Sequence, residues 1–141
     1  MASRSPEHSE AAANVLALMV AANGCIDAGE LRMLDELDAY RRVGVSRARF
    51  LELARLCVDD VGTSLSEHAW LPVSGLQYLH DRLDAVTDPA LRLLVCRLAA
   101  AAITADGHVT EDERLVYEHS LARWHISQAM VSQAILADRG T

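Results

Sequence analysis

Two stretches of the chain carry almost no charge, Ala11 to Ala22 and Leu98 to Ala105, and both are rich in Ala, Leu and Val. Apolar residues on every side of a helix signify burial on several faces rather than along one stripe. These segments are expected to form a central pair of helices. Between them the pattern changes: Leu31, Met33, Leu34 and Leu37 alternate with Arg32, Asp35, Glu36 and Asp38. That spacing predicts an amphipathic helix packed on the outside, polar face to water. Carried along the chain, the same reasoning predicts helices over 8–22, 27–42, 46–60, 74–86, 89–105, 110–124 and 127–138. Thr87-Asp88-Pro89 opens the fifth with a cap and a proline, whose missing N–H is no loss in a first turn. The stretch Gly62 to Ser74 is the least regular, and its Trp70-Leu71-Pro72-Val73 is expected to cover one end of the core.

One nine-residue frame occurs twice. Ala22-Asn23-Gly24-Cys25-Ile26-Asp27-Ala28-Gly29-Glu30 and Ala105-Asp106-Gly107-His108-Val109-Thr110-Glu111-Asp112-Glu113 share A-[ND]-G-x-[IV]-[DT]-x-x-E, 83 residues apart. Each follows one of the apolar segments, so the match reaches beyond the frame itself. Asn or Asp before Gly suits a helix end, because Gly takes the left-handed conformation without steric cost. Ile26 and Val109 return an apolar side chain to the core. Asp27 and Thr110 can then cap the next helix, with Glu30 and Glu113 three residues on at capping-box spacing. Downstream, Gly44-Val45-Ser46 and His125-Ile126-Ser127 each follow a second helix and set a Ser as N-cap of a third. The expected architecture is all-α, about seven helices, with two pseudo-symmetric helix-turn-helix repeats packed around two central apolar helices. It is read as a single domain over 1–141, with repeat 1 at about 8–60, a connecting segment at 61–88 and repeat 2 at about 89–138.

Composition supports this and narrows the function. Among 141 residues there are only three Pro and seven Gly, and 51% are hydrophobic, the profile of a globular helical domain with an aliphatic core. A net charge of −7 opposes a phosphate-tracking surface, so nucleic acid is not expected as a partner. Cys25, Cys57 and Cys96 are odd in number and far apart, which indicates neither a disulfide framework nor a zinc ribbon and fits a reducing cytoplasm. They read as small buried hydrophobes. Ala11 to Ala22 could mimic a signal peptide, but Glu7 and Glu10 against a single Arg4 make the wrong leader. The other long apolar run is punctuated by Arg92 and Arg97, so no direct membrane insertion is expected.

Candidate chemistry is concentrated at the repeated turns. If two-fold packing brings them together, Asn23, Asp27, Glu30, Asp106, Thr110 and Glu113 form an oxygen-rich cluster suited to a hard cation, Ca²⁺ or Mg²⁺. The competing reading gives Asp27, Thr110, Glu30 and Glu113 a purely structural capping role. The Asp106 turn is not an EF-hand, since Gly follows the Asp directly instead of standing sixth in a twelve-residue loop. The six histidines show no H-E-x-x-H pairing, and of them only His108, in the second turn, is kept as a candidate ligand. His119 and His125 read as cations placed near a helix C-terminus. No nucleophile elbow, Cys/His signature or phosphate-cradling loop is present. Asp59-Asp60 and Glu111-Asp112 are adjacent in sequence and so point to different sides of a helix, poor geometry for paired acid/base work. Trp70, Trp124, Tyr78 and Tyr117 read as core or interface residues.

The pairing of an apolar helix with A-N-G-C-I-D-x-x-E-L, then a second with A-D-G-H-V-T-x-x-E-R, resembles the TerB-like family. That family includes the tellurite-resistance protein and the N-terminal region of a DnaJ-like co-chaperone. The resemblance covers about Glu10 to Ala137. It implies a roughly seven-helix fold, a cytoplasmic bacterial stress-response setting, metal binding through acidic residues and engagement of protein partners. The missing catalytic motifs make the expectation a non-enzymatic domain, with a protein partner or a homodimer as its mode of association. The family's acidic turn positions correspond to Asn23, Asp27 and Glu30 in the first unit and to Asp106 and Glu113 in the second. Asn23 stands where Asp is usual, and Thr110 stands where the first unit has Asp27; each departure removes a charge. An alternative without metal is an interaction scaffold similar to the co-chaperone domain, working through apolar residues near Gly62 to Ser74.

Overall fold

The computed structural model describes residues 6–20, 28–64, 73–105 and 111–139. Within them there are eight helices and no strand: α1 (Pro6–Val20), α2 (Ala28–Glu36), α3 (Ala39–Val43), α4 (Arg47–Ser64), α5 (Val73–Asp84), α6 (Pro89–Ile103), α7 (Glu111–Trp124) and α8 (Gln128–Arg139). The all-α expectation holds, with one helix more than predicted. The segment predicted as 27–42 is broken at Leu37 and Asp38, where Asp38 adopts a left-handed conformation (φ 56°, ψ 38°). The helix predicted over 46–60 extends to Ser64.

Equivalence of the two halves is visible in the helix ends. α1 and α6 both begin on a proline and both run for 15 residues, so the 83-residue offset of the turns reaches back to Pro6 and Pro89. At α6 the cap is complete: Asp88 is extended, and its Oδ1 accepts from Ala90 N at 3.0 Å. The C-terminal corners also match. After α3 the N–H of Val45 bonds Tyr40 O (2.9 Å) and that of Gly44 bonds Arg41 O (3.0 Å). After α7 the N–H of Ile126 bonds Leu121 O (3.0 Å) and that of His125 bonds Ala122 O (3.3 Å). Both are Schellman motifs, with Gly44 (φ 101°) and His125 (φ 57°) in the left-handed position. The predicted serine caps follow each corner: Ser46 Oγ accepts from Arg49 N at 3.0 Å and Ser127 Oγ from Met130 N at 3.1 Å.

From Glu30 and Glu113 to these corners the offset falls from 83 to 81 residues. The first half thus holds two residues more, and the break at Leu37 and Asp38 accommodates them. α7, without that insertion, runs on unbroken.

Packing follows the same duplication. α1 lies against α4 and α6 against α8, while α1 also meets α7 and α6 meets α2, so each central helix touches the outer helix of the other half. The core joins Leu16, Met19, Leu34, Phe50, Leu79, Leu83, Leu91, Leu98, Val116 and Trp124 in one apolar cluster. Trp124 Nε1 donates to Leu83 O at 3.0 Å, satisfying the indole inside that cluster, and the Arg92 guanidinium lies 5.7 Å from the Trp124 ring centre. The central pair is unequal, however. α1 is buried continuously from Val15 to Val20, whereas α6 keeps a partly exposed stripe through Leu93, Leu94, Arg97, Ala100 and Ala101. The burial on several faces expected of both apolar helices is thus fuller for α1 than for α6.

Candidate functional site

Of the five residues expected to ligate a cation, Glu30 and Glu113 fall among the described residues; Asn23, Asp27 and Asp106 lie outside them, as do Thr110 and His108. Glu30 stands in the first turn of α2 and Glu113 in the first turn of α7. Both are almost completely buried, at 1% and 2% exposed. This departs from the solvent-facing picture of a charged turn. The reason is positional: each stands near the start of an outer helix that packs against the central helix of the other half.

Withdrawing a carboxylate from water is costly unless hydrogen-bond donors or a cation compensate. Both carboxylates are engaged by partners. Oxygen-only donors of this kind suit Ca²⁺ or Mg²⁺ and not a soft metal. Among the described residues, no three of His, Cys, Asp and Glu are grouped as metal ligands. A cation site at this end of the helices therefore needs oxygens from Asn23, Asp27 or Asp106 to complete it.

A second polar grouping comes from side chains the sequence gave no reason to combine. His80 on α5, His119 on α7 and His125 after α7 line one open hollow of about 450 Å³ with Asp84 and Arg123. Arg123 donates to Asp84 through Nε (3.0 Å) and Nη2 (2.7 Å), a two-point pair joining α7 to α5. That hydrogen-bonded guanidinium is the main cause holding the Asp84 carboxyl below its usual range. The expectation that His125 sits at a helix C-terminus is met, since it follows α7 directly.

Of the aromatic residues read as core, Trp124 and Tyr117 are buried. Tyr117 Oη donates to Gln128 Oε1 at 2.9 Å, and burial pushes its hydroxyl up to about 12. Cys96 is buried and its thiol is likewise pushed up to about 12 by desolvation, the inert small hydrophobe expected of it. The side chains of Cys25, Cys57, Trp70 and Tyr78, and of both adjacent carboxylate pairs, lie outside the described residues. No described helix is long and apolar enough to cross a membrane. No family model, no curated protein and no solved structure matches this chain.

Proposed function

We propose that this chain is a non-enzymatic, TerB-like domain of the stress-response, tellurite-resistance type, acting in the cytoplasm, whose duplicated acidic turns bind a divalent cation. The observation that carries the reading is the burial of Glu30 and Glu113 at matching positions, one turn into α2 and one turn into α7. A carboxylate serving only solubility stays in water; two equivalent ones drawn inside favour a common task. In this reading Glu30 and Glu113 supply the inner oxygens and Asn23, Asp27 and Asp106 the outer ones. A bound cation would neutralise the paired acids and fix the two turns.

Calorimetric titration of the full chain with Ca²⁺, Mg²⁺, Mn²⁺ and Zn²⁺ tests it. The expected result is saturable binding of Ca²⁺ or Mg²⁺, weakened at least tenfold in Asp106→Asn and in Glu113→Gln. Absence of heat with every ion removes the cation.

The alternative is an interaction scaffold similar to the co-chaperone domain, without metal. Favouring it are Met130 and Leu136 on α8, large apolar side chains 44% and 64% exposed. Self-association that rises with concentration in sedimentation, and is abolished by Leu136→Glu, is the result expected of a scaffold that pairs with a second copy. A chain that stays monomeric throughout argues against that form of the scaffold.

A further inference from the structure

The two halves agree in backbone and differ in filling. The first presents Leu18 on α1 and Phe50 and Leu53 on α4, all buried. At the corresponding positions the second presents Ala101 on α6 and Val131 and Ala134 on α8. Arg49 grips Glu10 through Nη2 at 3.0 Å, tying α4 to α1, whereas the matching positions in the second half are Met130 and Leu93. The α1–α4 seam is thus filled by larger side chains than the α6–α8 seam.

α5 belongs to the segment connecting the halves and has no repeat among the described residues. It packs against α1, α4 and α7. Exchanging the halves turns those three walls into α6, α8 and the α2–α3 pair. In that place lies a cleft of about 490 Å³, lined from all of them. The side chains follow the same rule. Ala17 and Leu18 on α1, Ala54 on α4 and Val116 on α7 are at most 5% exposed. Their counterparts Ala100, Ala101, Ile135 and Met33 are each partly exposed, and each lines the cleft. Arg123, whose Nη2 holds Asp84 of α5 at 2.7 Å, corresponds to Arg42, which also lines it. Arg42 has a partner of its own and serves only to mark the position. A neighbouring hollow of about 410 Å³ continues the cleft along α6. The lining residues of the two spaces run on α6 from Ala90 to Ala101, about 16 Å or three helical turns.

An apolar groove between helices receives the apolar face of an amphipathic helix, read as anchors three and four residues apart. α5 is 12 residues long and shows that pattern in its own seat, where Leu79, Leu83 and the following Val86 are fully buried. We propose that the cleft between α2, α6 and α8 is a docking site for an amphipathic helix of a protein partner, about three turns long, seated as α5 is seated in the first half. Apolar contact selects the occupant. The site is separate from the acidic turns and does not depend on a cation there, and neither Met130 nor Leu136 lines it.

Titration of the full chain with a helical probe tests the assignment. The probe is a synthetic peptide of residues 73–86, the α5 sequence, with Gln77→Lys closed by a lactam to Asp81 on the exposed face. A control peptide carries Leu79→Asp and Leu83→Asp as well. The probe is expected to saturate at one equivalent and the control to bind at least tenfold more weakly. The Met33 methyl resonance should shift in step with occupancy, while the Trp124 indole N–H, bonded to Leu83 O beside the chain's own α5, stays in place. Ala101→Arg, which fills the cleft from α6, should weaken the probe at least tenfold. The proposal is overturned if the probe does not bind, or if the control binds as tightly. It is overturned equally if the Trp124 indole shifts in place of Met33, the sign that the probe has displaced α5. A Met33 shift that follows the chain's own concentration gives the cleft to a second copy and overturns it too. Unchanged binding in a folded Ala101→Arg variant has the same force; should that variant not fold, the Met33 response of the native chain decides.

Discussion

Gly44 is held at φ 101°, and a Cβ built on it would strike the Ser9 hydroxyl and lie 2.9 Å from Ser9 Cβ. Ser9 is itself buried in the first turns of α1, so neither side has room to give. Gly44→Ala is expected to cost about 2 kcal/mol or more, combining left-handed strain with the contact. His125 occupies the equivalent corner at φ 57° with a side chain that bears the strain. His125→Gly should raise stability by about 0.5–1 kcal/mol, the strain relieved less the added chain entropy. Urea unfolding of the two variants checks the opposed signs. Cys96 makes a residue-scale prediction of a different kind. With its thiol buried and pushed up to about 12, alkylation at pH 8 followed by peptide mapping should leave Cys96 unmodified in the native chain and modify it fully in denaturant.

At the scale of the helices, Ser46 and Ser127 each satisfy an N–H that would otherwise lack a partner at a helix start. Ser46→Ala and Ser127→Ala should each cost about 1 kcal/mol in denaturant unfolding. Both caps were legible from Gly44-Val45-Ser46 and His125-Ile126-Ser127, because capping is local chemistry between residues three apart. The Asp88-Pro89 start was legible for the same reason. Pro6, by contrast, carries the same information as Pro89, but no signal in the sequence fixes how far back the repeat extends. The break at Leu37 was hidden for a different reason: the apolar spacing of Leu31, Leu34 and Leu37 continues through it. Only the two-residue difference in offset between the halves betrays it. The burial of Glu30 and Glu113 could not be read from spacing at all, since a capping-box acid has the same sequence signature exposed or buried. Nor could the His80, His119 and His125 hollow, whose members come from separate helices.

For the molecule as a whole, ion pairs among the described residues tie elements together across the fold, Glu10 with Arg49, Asp35 with Arg47 and Asp84 with Arg123 among them. In each, the arginine hydrogen bond is the first cause holding the carboxyl below its ordinary value, 4.5 for Glu10 and 3.8 for the two aspartates. A carboxyl whose folded pKa is depressed leaves the unfolded chain binding more protons, so stability rises with pH in that range. The contribution is whole above the ordinary values and is lost as pH falls below about 4 through the folded ones. These groups are exposed, so each pair contributes modestly. Urea midpoints between pH 6 and 2.5 should fall toward acid, and the fall should be shallower in the double variant Glu10→Gln, Asp84→Asn.

The unequal filling of the two seams also sets an order in which the fold lets go. α4 is anchored by Phe50, Leu53 and the Arg49 fork, whereas α8 rests on Val131, Ile135 and the Tyr117–Gln128 bond. Native-state exchange should find the amides of α8 protected by a smaller opening energy than those in the first half of α4, with α8 releasing as a unit while α1 stays shut. A protease supplied under native conditions would then clip this chain first near its last helix, leaving the more tightly closed first half intact.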